Sequence, residues 1–124
     1  MAGYVTNIEE EAVKNNNFRK VLFTSSHSQL VVMSLKPGED IGMETHPNVD
    51  QFIRIEEGEG RAILDGKEYV IRDDFAIVIP AGTEHDIVNT SLDREMKLYT
   101  LYSPPNHPDK TIHKTKEEAS KAED

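Results

Sequence analysis

Four side chains in this sequence, Glu44, His46, Gln51 and His85, are candidates to hold one metal ion. Imidazole nitrogen and carboxylate or amide oxygen are borderline-to-hard donors, suited to Zn, Mn, Fe, Ni or Co. One carboxylate, two neutral imidazoles and one amide leave a divalent ion with one positive charge in excess. Such a centre is Lewis acidic and keeps room for water or a chelating substrate. Glu44 and His46 are two positions apart, so on an extended segment both point to the same face. Pro47-Asn48 offers a turn that can reset the parity before Gln51. His85 opens a strand-like stretch whose own face carries Ile87 and Asn89. The chain has no cysteine, which excludes disulfides, thiolate zinc sites and cysteine nucleophiles.

The elements that must position these residues read as short strands. Lys20 to Thr24, Gln29 to Leu35, Gln51 to Glu56, Arg61 to Leu64, Lys67 to Ile71, Phe75 to Ile79, Ile87 to Asn89 and Lys97 to Tyr102 are rich in Val, Ile, Leu, Phe and Tyr. Turn signals separate them. Asp65-Gly66 predicts a two-residue hairpin, because both residues tolerate positive φ. Short strands at intervals of about ten residues indicate an all-β sandwich or barrel. Before them, Thr6-Asn7-Ile8-Glu9 has the form of a capping box and predicts a short helix near 7–14, stopped by three asparagines. The chain divides into an N-terminal segment (1–17), a β domain (18–103) and a charged tail (104–124). The part from Lys114 to Asp124 has little to bury and is expected to fray.

At 124 residues the chain fits a single domain with a real core. Its longest apolar runs, Leu30 to Met33 and Ala76 to Ile79, are far too short to span a bilayer, and no signal peptide is apparent. A cytoplasmic location is the expectation. The formal charge of −9 argues against a nucleic-acid or anionic-membrane partner.

Gly38, Glu44, His46, Gln51 and Gly58 follow the spacing Gly-x5-His-x-His-x4-Glu-x6-Gly. Asp74, Pro80, Gly82, His85 and Asn89 follow Gly-x5-Pro-x-Gly-x2-His-x3-Asn. In both, the chain resembles the cupin superfamily. The resemblance implies a double-stranded β-helix, or jelly-roll barrel, with short terminal helical segments, a metal inside and a homodimer. Three positions depart from the pattern: Glu44 replaces the first His, Gln51 the Glu, and Asp74 a turn Gly. The first two exchanges keep a single carboxylate among the four ligand positions, and Asp tolerates turn geometry.

The remaining candidates have plainer readings. His27, His107 and His113 are read as structural. Asn89 pins a strand or loop, and Arg54, of opposite parity to Gln51, forms a surface or interface ion pair. The Pro-rich stretch after Tyr102 either covers the barrel mouth or braces a partner subunit, and bracing is the expectation. The ligand set resembles that of cupin isomerases acting on sugars, and Gln at the third position is similar to cupins that open unsaturated uronates. The expected activity is isomerase- or lyase-like chemistry on a small sugar, polyol or keto-acid, with Glu44, if unligated, or Glu84 as the base. Cupin dioxygenases commonly use three histidines, which this set lacks. A non-catalytic metal- or ligand-binding module is the third reading.

Overall fold

A computed structural model describes residues 2–122. Nine strands follow a first helix and precede a second: α1 (Ile8–Lys14), β1 (Arg19–Thr24), β2 (Gln29–Leu35), β3 (Asp50–Glu57), β4 (Glu59–Leu64), β5 (Lys67–Arg72), β6 (Ala76–Ile79), β7 (His85–Asn89), β8 (Met96–Ser103), β9 (Ile112–His113) and α2 (Lys116–Ala122). Six strands form one sheet in the order β6-β3-β8-β2-β1-β9, and three form the other, β5-β4-β7. Every pairing is antiparallel.

Alternation along the strands fills the space between the sheets. Ile53 and Ile55 of β3, Leu98 and Met96 of β8, Met33 and Leu35 of β2, and Ile87 of β7 are fully buried. The register places Ile53, Thr100 and Val31 in one row across β3, β8 and β2, and Gln51, Tyr102 and Gln29 in the next. The inner wall thus changes from apolar to polar toward one end of the barrel. β2 is buried on both faces because α1 covers its outer side. Beneath that helix, Lys97 donates to Ser34 Oγ at 3.0 Å and to the main chain of Asn15.

Local chemistry explains the boundaries. α1 starts one residue later than its capping box suggested. Asn7, not Thr6, is the N-cap, accepting from the Glu10 N–H at 3.0 Å, while Thr6 donates to the Glu11 carboxylate. Asp65 and Gly66 have φ of 47° and 82°, as the hairpin between β4 and β5 requires. Asp74 adopts φ 73°, so the Asp does the turn's work in place of Gly. Arg54 pairs with exposed Asp74 at 2.8 Å and with buried Glu56.

The tail departs from expectation. Lys114 to Ala122 is docked: β9 pairs with β1 through Arg19–His113 and Lys20–Ile112, and Thr115 caps α2, whose Ala119 is buried. A single small apolar residue facing the barrel, together with the Lys116–Asp40 ion pair, suffices to hold the helix. The last two residues of the expected frayed stretch lie outside the described residues.

Asn89 is wholly buried and structural. Its amide donates to the carbonyls of Leu35, Lys36 and Arg94 at 2.9–3.1 Å, and its Oδ1 accepts from the Ser91 N–H at 3.0 Å. Asn89→Ala should therefore lower the unfolding free energy by about 2–4 kcal/mol, because it strands several buried partners at once. Urea denaturation checks this; a loss below roughly 0.5 kcal/mol would mean that the loops do not depend on Asn89.

Candidate metal centre

The stretch from Pro37 to Val49 is not a regular strand. It runs beside β7 as an interrupted one, with single bridges Asp40–Val88 and Glu44–His85. The Glu44–His85 pair is reciprocal, each N–H donating to the other's carbonyl at 2.9 Å. Gly42, at φ 113°, breaks the strand between the two bridges. Gly82 N–H donates to the His46 carbonyl at 2.8 Å, and Ala81 N–H to the Asp50 carboxylate at 2.9 Å. The hairpin tip adds another clamp, Asp65 N–H to the Glu84 carbonyl at 2.7 Å and Glu84 N–H to Asp65 Oδ1 at 2.9 Å. Main-chain hydrogen bonds thus hold the two sequence clusters in fixed register.

One donor atom from each of Glu44, His46 and His85 lies within 4.8 Å of the others. His46 Nε2 sits 2.9 Å from Glu44 Oε2, yet it is buried without a hydrogen bond of acceptable geometry. His85 Nδ1 is 2.8 Å from the Thr83 carbonyl. A carbonyl only accepts, so Nδ1 carries the proton and Nε2 is left as a lone-pair donor. Gln51 Nε2 donates to Thr100 Oγ1 at 3.1 Å, and its buried Oε1 has no partner. Neighbours that consume the wrong atom of a ligand and free the right one are typical of metal sites. The carboxylate oxygen of Glu44 and the two imidazole nitrogens therefore fit a divalent transition ion.

Glu84 stands elsewhere. It is exposed, one position out of phase with buried His85, and takes no part in the donor group.

Charge in the site is asymmetric. Burial pushes the Glu44 carboxyl up, but the His46 side chain, with Arg19 and His85 behind it, outweighs burial and holds it below the usual range. It is ionised at neutral pH. A cavity of about 250 Å³ opens onto Glu44 and His46, walled by Asn106, His107, Pro108, Thr111 and His113. The Pro-rich stretch after Tyr102 supplies Asn106, His107 and Pro108 to this wall. Gln29 holds it there, accepting from the N–H groups of Asn106 and His107 and donating to the His107 carbonyl at 2.7 Å. Burial lowers His107 to about 4, with Arg19 adding to the effect, so its ring is neutral. Sequence reasoning missed His107 and His113 as wall residues; their only sequence signal was a histidine-bearing segment long enough to fold back.

The family described as Cupin domain matches residues 31–102. The chain belongs to the cupin family. It is 49% identical to YrkC, an uncharacterized protein of Bacillus subtilis strain 168, over 98% of this chain and 68% of that one. It is 53% identical to the uncharacterized protein L612 of Acanthamoeba polyphaga mimivirus, over 85% of this cupin and 68% of the relative. Among solved structures, BH2720 of Bacillus halodurans superposes with a TM-score of 0.94 at 44% identity, covering 97% of this chain and 95% of the other. The jelly-roll expectation is met.

Beside the centre, Asp86 is buried and shares a hydrogen bond with Asp40. Desolvation, then that bond, pushes Asp86 up to about 7, while the same bond and Lys116 hold Asp40 down. The folded chain keeps the Asp86 proton to about pH 7, whereas the unfolded chain releases it near 3.8. This contribution is complete below about pH 4 and is lost as pH rises through 7. Asp86→Asn, which mimics the protonated acid and can keep the bond from the Gly42 N–H, should match the wild type near pH 4. Near pH 8 it should exceed it by on the order of 2–4 kcal/mol in denaturant unfolding. A gap independent of pH would contradict the shared proton.

Proposed function

We propose that this cupin is a divalent-metal-dependent enzyme acting on a small hydroxy-carbonyl compound, of the sugar, polyol or keto-acid class, by isomerase- or lyase-type chemistry. Glu44, His46, Gln51 and His85 would hold the ion. The carrying observation is the cavity that opens onto Glu44 and His46, whose donor atoms converge with that of His85. When bound, the ion supplies Lewis acidity for a chelated hydroxyl and carbonyl.

The chain's own residues supply the rest. Thr83 fixes the His85 tautomer and Thr100 fixes the Gln51 amide. Glu44 is the one carboxylate among the described residues lining the cavity; when released from the ion, it is the group placed to take a proton from carbon between hydroxyl and carbonyl. Asn106 and Thr111 line the cavity and offer hydrogen bonds to a polar ligand.

Elemental mass spectrometry on protein purified without chelator or affinity tag, beside His46→Ala and His85→Ala, tests the site. About one equivalent of metal is expected in the native protein and at least a tenfold loss of affinity in each variant. Deuterium exchange at the carbon between hydroxyl and carbonyl, followed by NMR over a panel of aldoses, ketoses and hydroxy acids, then tests the chemistry. Glu44→Gln should slow that exchange by about 100-fold or more. Oxygen uptake without exchange would instead favour the dioxygenase reading. A native protein that takes up no metal would leave the four residues as a polar core and favour a binding module.

A further inference from the structure

Arg19 is only 2% exposed, which is unusual for a guanidinium, since buried charges are almost always paired. It has no carboxylate within ion-pairing distance among the described residues. Its Nη1 contacts His113 Nδ1 at 3.3 Å, its plane lies 5.3 Å from the Phe18 ring centroid, and its Nε has no partner. Arg19 and Glu44 line the same narrow cleft of about 20 Å³. The cation therefore stands directly behind the proposed metal centre.

The Arg19–His113 contact fixes the histidine's chemistry. A guanidinium only donates, so His113 Nδ1 accepts and the ring proton resides on Nε2. His113 lines the same cavity as Glu44 and His46 and brings an N–H donor to its wall. Charge completes the argument. A divalent ion would more than neutralise Glu44, leaving the buried guanidinium without an answering anion.

We infer that this cavity receives a small 2-hydroxy or 2-oxo carboxylate, its carboxylate end hydrogen-bonded by His113, with Arg19 as the positioning charge behind that histidine. The inference rests on the metal-centre reading above and narrows its substrate class, making neutral sugars and polyols the poorer ligands. A volume of about 250 Å³, lined by Glu44, His46 and His113, has room for an acid of a few carbons.

The test is isothermal titration of the metal-loaded full-length chain with lactate, propane-1,2-diol and inorganic phosphate. It is repeated for Arg19→Met, Arg19→Lys and His113→Phe, with metal content measured on each sample. Lactate should bind at least about tenfold more tightly than the diol, the scale of a lost charge-assisted hydrogen bond. Arg19→Met and His113→Phe should erase that preference at unchanged metal content, and Arg19→Lys should restore part of it. Absent lactate binding, a diol that binds equally well, or a preference that survives in both variants would overturn the inference. Phosphate bound more tightly than lactate would overturn it in favour of a phosphorylated ligand. If Arg19→Met does not fold, His113→Phe, on a short edge strand, decides the matter. A wild type that takes up no metal sinks the metal reading and this inference with it, whereas metal without carboxylate preference sinks this inference alone.

Discussion

The reciprocal main-chain pair between Glu44 and His85 is the constraint on which the centre depends. Two residues 41 positions apart are made adjacent by two 2.9 Å hydrogen bonds that no side chain can alter. Once that bridge forms, the alternation of extended backbone sends both side chains to the same interior, and His46 follows two residues on. The side chains then need only local tuning, which Thr83 and Thr100 provide by consuming one polar atom each of His85 and Gln51. Backbone geometry brings the donors together, and short hydrogen-bonded partners choose which atoms remain free.

The electrostatics follow the same division. The barrel's inner wall is apolar where Ile53, Ile55, Met33 and Leu98 interdigitate and polar where Gln29, Gln51 and Tyr102 form a row. Charged groups collect at that polar end, each with a distinct solution to burial. Asp86 keeps a proton, His107 gives one up, and Glu44 stays ionised beside His46 and Arg19. Arg19 feels Glu44 across a shared cleft but makes no direct ion pair among the described residues.

The sequence read well where periodicity and turn chemistry act locally. The strands β1 to β8, the Asp65-Gly66 hairpin, the turn at Asp74 and the structural role of Asn89 were all legible from residue type and spacing. The three-residue donor group was legible because two short clusters carry it. Arg19, His107 and His113 were not. Each is separated from the clusters by tens of residues, and only the pairing of β9 with β1 and the Gln29 clasp bring them in. Composition misled at the tail, where a charged stretch was read as frayed although one buried alanine, a cap and an ion pair anchor it. A helix that docks by so few contacts leaves almost no hydrophobic period to detect.

That tail does two jobs at once. It walls the cavity, and it also satisfies the outer edge of β1, with Val21 N–H donating to the Thr111 carbonyl and Phe18 N–H to the Lys114 carbonyl. Swinging it aside to admit a ligand would break those bonds and the Gln29 clasp together, and would bare a strand edge of the kind that invites sticking between chains. A segment under both obligations is a poor gate.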